Sequence, residues 1–264
     1  MVELRAMKLF QYWDTGDPPD DVAACIESFR AMNPEMQHRL FSRDDAAWFI
    51  KKHFGQRELK AFEACAVPAM QADYFRLCAV WARGGLWVDA DFRCARPLVQ
   101  LVRQAPGGYL SMLENLLQNF VIFAPSPENH FVGACLELAS RHVERRSDGD
   151  ASDVTGPKVL NLVWTAVDPE GADADHHCAR DRSFKTSCEA REAAAQFPGA
   201  AQAMARITRR HDIWTNKWLA NTWLRYKATP LDWRRWEGSI YNPSEPGAFM
   251  PSASRAGREA EVPL

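Results

Sequence analysis

Apolar and polar positions alternate along the first part of the chain in a rhythm of strand, loop and helix. MKLFQYW is short and apolar and precedes the turn-forming DTGDPPD, which predicts a buried strand ending in a loop. Apolar residues then recur at helical spacing from Asp20 to about Met32, and Asn33-Pro34 stops the pattern. HRLFS predicts a second strand, with a helix starting at Asp44 or Asp45. This order of elements favours a parallel sheet.

A longer helix is predicted between Pro68 and the Gly84-Gly85 pair. One apolar stripe at helical spacing docks it on the sheet, and its members are Met70, Tyr74, Leu77, Cys78 and Trp81. LWVDADF follows directly and predicts a strand, and LVQLV continues as a short apolar segment. GGYLSML and NFVIFAP predict two further strands, and helices are predicted over FVGACLELASRHVERR and from Pro157.

Composition and charge exclude several classes of protein. With 264 residues and 47% hydrophobic content, the chain can bury a packed core. The net charge of -2, from 32 basic and 34 acidic residues, gives no basic field for binding nucleic acid. The N-terminus lacks the apolar core of a signal peptide, and no stretch reaches the ~20 apolar residues of a membrane span, so we expect a cytoplasmic protein.

The cysteines and histidines give no clear metal or disulfide signal. Seven cysteines without CxxC spacing predict reduced, mostly buried thiols. His176, His177 and Cys178 are adjacent, and because adjacent side chains rarely converge on one ion, a polar loop is the better interpretation.

Two carboxylates, Asp89 and Asp91, stand out within the apolar segment GGLWVDADF. In an extended strand Trp87, Asp89 and Asp91 would share one face. A divalent cation is the usual way to offset the repulsion of two neighbouring carboxylates, and oxygen ligands suit Mg²⁺ and Mn²⁺, which also take phosphate oxygens. The simple alternative is a strand end where both aspartates face water.

The helix before this strand carries Asp73 and Arg76 at i, i+3, on nearly one face. Because the helix runs through Gly84-Gly85 into the Asp89 strand, the four residues can converge on one site. A surface ion pair worth under ~1 kcal/mol would explain Asp73 and Arg76 alone, but it would not explain their order before GGLWVDAD.

The segment QADYFRLCAVWARGGLWVDADF resembles the signature of the DXD sugar-transferase family, glycosyltransferase family 32, with Ala72 where Ser is common and Trp87 where Tyr is common. LFQYW is similar to the family's opening I-H-Q-x-W, with Phe10 in place of His. NFVIFAPSPENHF, TGP and HDIWTNKW resemble further family segments in the same order. The family includes bacterial polysaccharide transferases and yeast initiating mannosyltransferases.

This resemblance implies an α/β fold of GT-A-like Rossmann type, with a mostly parallel sheet flanked by helices and a helical C-terminal part. Residues 1–240 would form a single domain. Residues 241–264, rich in Pro, Ser and Gly, are predicted to be a disordered tail.

The resemblance also implies roles for individual residues. Asp91, Asp89 and His211 would bind Mn²⁺ or Mg²⁺, although Asn216 stands near the place of the usual Ser and leaves His211 open to a simpler interpretation as a solvated histidine. Asp89, Asp91 and Arg76 would serve catalysis. The donor would be bound by Trp13, Gln11, Asp73, Arg76, Asp89, Asn119, Lys217 and Trp218, with Trp13 stacking on the base unless it is a core tryptophan.

The implied activity is metal-dependent transfer of a sugar, with retention of configuration, from a nucleoside-diphosphate sugar to a glycan, lipid-linked or protein acceptor, with UDP favoured over GDP. One alternative is a non-catalytic protein of the same fold that binds nucleotide sugars or glycans. A weaker one is a phosphotransferase of the haloacid dehalogenase type, whose DxD lies near the start of the chain. Residues 206–236, dense in Arg and Trp, suggest either a helix packed on the sheet or a peripheral membrane contact at the inner face.

Overall fold

The computed structural model describes residues 7–170, 184–210, 218–221, 224–229 and 232–243. The described helices are α1 Asp20–Met32, α2 Arg43–His53, α3 Gln56–Ala64, α4 Pro68–Arg83, α5 Val99–Gln104, α6 His130–Glu144, α7 Ala151–Val154, α8 Pro157–Val167, α9 Phe184–Ala195 and α10 Ala200–Arg206. The described strands are β1 Lys8–Tyr12, β2 Gln37–Phe41, β3 Gly85–Val88, β4 Phe92–Cys94, β5 Tyr109–Leu113, β6 Leu116–Ala124, β7 Thr208–Arg210 and β8 Leu219–Asn221. Two 3-10 turns follow at Arg225–Ala228 and Trp233–Arg235.

The described strands form a mixed six-stranded sheet in the order β2-β1-β3-β6-β5-β7, and β4 and β8 form a separate antiparallel pair. In the large sheet β1 is parallel to both β2 and β3, and β5 is parallel to β7, whereas β6 is antiparallel to its neighbours β3 and β5. The predicted start of the fold is confirmed, since α1 joins β1 to β2 with the bounds that the apolar pattern predicts. A mostly parallel sheet flanked by helices is the predicted fold class.

Apolar residues cover both faces of the sheet. On one face Phe75 of α4 packs edge-on against Trp87 of β3, within a cluster that also includes residues of α2, α3, α6 and α8. On the other face Leu86 and Val88 pack in a second cluster with Phe29 of α1. The alternation predicted for LWV is therefore present, and it places β3 in the centre of the core.

Two glycines let α4 turn straight into β3. Gly84 and Gly85 have φ values of 58° and 98°, a region that favours glycine. A Cβ on Gly85 would lie 2.8 Å from the carbonyl oxygen of Lys8 in the adjacent strand β1. The close approach is needed because β3 pairs with β1 immediately after the turn, and it places α4 across the end of β3.

The structure corrects the prediction of one strand through LWVDADF. Strand β3 ends at Val88, and Asp89 to Asp91 form a turn before β4 pairs with β8 in the smaller sheet. The Asp89 amide still donates to Phe120 O of β6 at 3.0 Å, and the chain then leaves the large sheet. The apolar LVQLV lies largely in α5.

The segment from Arg206 to Trp236 is not a helix in its described parts. Arg206 ends α10, and β7 follows at once because the Thr208 amide donates to Gly108 O at 2.9 Å and the strand pairs with β5. Strand β8 and the two 3-10 turns make up the rest of the described segment. The described parts of this segment therefore do not form the long amphipathic helix that was predicted for it.

Near the end of the described chain, Tyr241 and Asn242 are anchored on the body of the protein. The Asn242 amide donates to Ala64 O at 2.8 Å, and Tyr241 Oη donates to Ser147 O at 2.8 Å.

Residues 244–264, most of the predicted tail, lie outside the described residues, as does the His176 to Cys178 run. The described cysteines are free thiols, and all but Cys188 are buried. None of the described helices has the length and apolar character that a membrane-spanning helix requires.

Candidate active site

A cleft of about 400 Å³ opens where β1 and β3 end at their carboxyl termini. Ligands bind at this edge of parallel sheets because the loops there converge on the strand ends. The first half of α4 and residues 118–120 of β6 form further walls, and Tyr226 and Lys227 come from the C-terminal part of the chain. The charged residues that line the cleft are Asp14, Asp73, Arg76, Asp89, Asp91, Lys227 and Arg234.

Arg76 lies at the centre of a buried polar network that joins α4, β3 and β6. Its Nη2 lies 2.7 Å from Asp73 Oδ1 and 3.1 Å from Asp89 Oδ1. Its Nη1 donates to Asn119 O, and Asn119 Nδ2 donates to Asp73 Oδ1 at 2.8 Å. With its side chain only 4% exposed, Arg76 holds the two carboxylates and the β6 backbone in one arrangement.

The environment of Asp89 disfavours its charge. Burial, together with a smaller effect of the Asp91 charge and against the opposing effect of Arg76, raises the pKa of this carboxyl to about 7. Trp87 Nε1 donates to Asp89 Oδ1 at 2.8 Å, and the guanidinium of Arg76 lies over the Trp87 ring, 5.3 Å from its centroid. Burial also raises the pKa of Asp73, again opposed by Arg76. A cation bound in the cleft would stabilise the ionised forms of both groups.

Asp91 is held by different residues. Its Oδ2 accepts a hydrogen bond from Tyr226 Oη at 2.9 Å, and the Lys227 ammonium lies 2.9 Å from the same oxygen. The ring of Tyr226 meets Trp13 edge to face, with 5.2 Å between centroids. Trp13 lines the cleft at the end of β1, so an aromatic ring and a carboxylate lie side by side at its mouth.

Two residues expected at the donor lie behind the cleft wall. Gln11 is fully buried, and its Nε2 donates to Asp89 O at 3.4 Å while its Oε1 accepts from His38 Nε2 at 2.7 Å. It therefore supports the Asp89 backbone. Trp218 is 6% exposed and packs in the cluster with Phe92, away from the cleft lining.

The structure thus brings Asp73, Arg76, Asp89, Asp91, Asn119 and Trp13 together at one cleft. His211 and Lys217 lie outside the described residues. Among the described residues no group of three His, Cys, Asp or Glu side chains is arranged to hold a metal ion.

Sequence reasoning missed Tyr226 and Lys227. They follow Asp91 by more than 130 residues and stand in no motif. Only the excess of basic and aromatic residues after Arg206 gave any signal, and it pointed to a surface rather than to contact with Asp91.

Comparison with known proteins agrees with the geometry. Residues 19–107 match the family described as "Glycosyltransferase sugar-binding region containing DXD motif", and this stretch holds Asp73, Arg76, Asp89 and Asp91. Among solved structures the chain is similar to "PaToxG Glycosyltransferase", with 13% sequence identity and a TM-score of 0.50 over 83% of this chain and 93% of that chain. At this identity the likeness concerns the fold, and it confirms the GT-A-like architecture. Among curated proteins none matches.

Proposed function

We propose that this chain, whose residues 19–107 match the DXD sugar-binding family of glycosyltransferases, transfers a sugar from a nucleoside-diphosphate donor in a reaction that depends on a divalent cation. The observation that carries the proposal is the charged network Asp73–Arg76–Asp89, which opens with Asp91 into one cleft. The acceptor would be a glycan, a lipid-linked sugar or a protein. UDP is favoured over GDP as the nucleotide of the donor, and the transferred sugar would retain its anomeric configuration. Residues 1–240 would act as a single domain in the cytoplasm.

The donor set fits a hard divalent cation such as Mn²⁺ or Mg²⁺. The two aspartates offer carboxylate oxygens, and such ions commonly take one or two carboxylates together with substrate phosphates. Asp91 already holds one positive group, the ammonium of Lys227. We assign Asp91 and Asp89 as the ligands from the described part of the chain, with His211 as the candidate to complete them. When bound, the cation would supply positive charge that stabilises the departing diphosphate.

The remaining residues position the donor. Arg76 keeps Asp89 and Asp73 in place, because each of its nitrogens bonds to protein oxygens, including Nε to Ala72 O at 3.3 Å. The flat ring of Trp13 offers a stacking surface for a base. Asp73 and Asn119 line the inner cleft, where a sugar hydroxyl can hydrogen-bond to them. Lys217 stays a candidate contact for the diphosphate.

Thermal-shift measurements with UDP, GDP, ADP and CDP sugars, each with and without Mn²⁺, test the proposal. We expect stabilisation only when the metal and the right nucleotide are present together, because each completes the site for the other. Asp91→Asn should abolish that shift, whereas Asp17→Asn, the same charge change on an exposed loop, should leave it intact. A chain that shifts with no metal and nucleotide pair would contradict the site assignment.

Turnover is measured as slow hydrolysis of the donor sugar without an acceptor. We expect hydrolysis in the wild type and none in Asp91→Asn. Tight donor binding with neither hydrolysis nor transfer to any acceptor would instead favour a binding protein of the same fold.

A further inference from the structure

A short segment from the C-terminal part of the chain lies across the mouth of the cleft. We call residues 224–229 the strap. Leu224 anchors it, since this residue is 3% exposed and packs with Val22, Cys25 and Ile26 of α1. The Arg225 amide donates to Asp21 Oδ2, at the start of the same helix. From these anchors the strap carries Tyr226 and Lys227 to the cleft.

At the cleft, both strap side chains donate to the same oxygen. Tyr226 Oη and Lys227 Nζ each lie 2.9 Å from Asp91 Oδ2. The side chains of Lys227 and Asp91 are 26% and 21% exposed, so the ion pair is neither buried in the core nor fully in water. The two charges are close enough to attract each other, and the pair is exposed enough for another ion to reach Asp91.

Charge explains why a lysine is held there. Asp73, Asp89 and Asp91 are three of the carboxylates that line the cleft, and Arg76 bonds to the first two. Lys227 adds a positive charge beside the third, which reduces the repulsion felt by Asp89. The ammonium thus supplies, beside Asp91, part of the positive charge that a bound cation would supply.

We propose that Lys227 is an internal counter-ion that competes with the divalent cation for Asp91. This inference rests on the proposed function. An ammonium and a metal ion on one carboxylate repel each other, so the cation must displace Lys227 in order to bind. A nucleoside diphosphate offers the displaced ammonium a new anionic partner. Metal alone therefore binds weakly, and nucleotide and metal strengthen each other's binding.

Titration of Mn²⁺ against the metal-free protein tests this directly, with free Mn²⁺ followed by electron paramagnetic resonance. Lys227→Gln and Lys227→Met should bind Mn²⁺ alone about two- to fivefold more tightly than the wild type, the range expected for removing a partly exposed ion pair. Lys227→Arg should stay near the wild type. Lys51→Gln, the same charge change on an exposed residue of α2, should have no effect.

The nucleotide arm repeats the titration with saturating UDP, or with the base selected by the donor panel. The factor by which nucleotide tightens Mn²⁺ binding should be smaller in Lys227→Gln than in the wild type. Unchanged or weaker Mn²⁺ binding by both neutral variants, with native near-ultraviolet circular dichroism, would overturn the counter-ion role while leaving the proposed function standing. Absence of Mn²⁺ binding in all variants, with and without every nucleotide, would overturn both.

Discussion

Asp89 and Asp91 are two residues apart in the chain, yet the protein holds them in different ways. Asp89 accepts hydrogen bonds from Trp87 and Arg76, residues of the same helix-and-strand unit that are almost fully buried. Asp91 accepts from Tyr226 and Lys227, which arrive from the far end of the chain. Both carboxylates are partly exposed, but the partners of Asp89 are buried residues of the core, whereas the partners of Asp91 are partly exposed side chains at the mouth of the cleft.

Substituting Arg76, the buried positive charge that Asp73 and Asp89 share, should have the largest effect on stability. Arg76→Met leaves Asp73 and Asp89 close together without their shared partner, and breaking such a buried arrangement costs about 3–5 kcal/mol of unfolding free energy. Urea unfolding at neutral pH measures it. Glu27→Gln, which breaks the exposed Arg30–Glu27 pair, should cost under about 1 kcal/mol. Similar losses in the two variants would show that Asp89 is not held by the core.

Acid should weaken the hydrogen bonds through which His38 and Gln11 support the Asp89 backbone. Burial, with a smaller effect of Arg30, lowers the pKa of His38 to about 4, below its ordinary 6.5. Between these values the unfolded chain binds more protons than the folded one, so stability should fall as pH drops from about 6.5 to 4, by roughly 1–3 kcal/mol.

His38→Gln provides the comparison for that pH dependence. Because the variant lacks this titrating group, its unfolding free energy should fall less over the same pH range. Equal losses in both proteins, measured by urea unfolding at each pH, would show that His38 does not couple stability to pH. A smaller loss would tie the bond from His38 Nε2 to Gln11 Oε1, and so the Asp89 support, to the neutral imidazole.

A substitution in the strap should have the smallest effect on stability. Tyr226→Phe removes one hydrogen bond to a partly exposed carboxylate that keeps Lys227 as a partner, so unfolding free energy should change by under about 1 kcal/mol. Urea unfolding beside Arg76→Met gives the contrast. A loss above about 2 kcal/mol would mean that the strap is as much a part of the core as Arg76.

The local part of the site could be predicted from the sequence, and the distant part could not. Asp73 and Arg76 lie on one helix face, and the Gly84-Gly85 pair directs the chain back into β3, so helical periodicity and glycine chemistry were enough to place these residues near Asp89. The strand itself was predicted too long. Alternation continues through DAD, but the pattern does not reveal that Phe92 pairs with a different sheet.

Contacts across the chain explain where two other residues predicted for the donor site lie. Gln11 was expected at the donor because LFQYW resembles the family's opening, but its amide bonds to Asp89 O behind the cleft wall. Trp218 was also expected at the donor, but the pairing of β4 with β8 buries it near Phe92. Lys227 had no local signal, because its partner is an oxygen more than 130 residues away.

The Gly84-Gly85 turn has a consequence for the order in which the protein folds. Arg76 and Asp89 are close in sequence, and bringing together residues that are close in sequence costs little chain entropy. The Tyr226 contact with Asp91 spans 135 residues and must await most of the chain. Folding kinetics of variants should therefore give high φ-values around Gly85 and Arg76 and low ones along the strap. The part of the site that Arg76 organises would therefore be complete before Tyr226 and Lys227 reach Asp91.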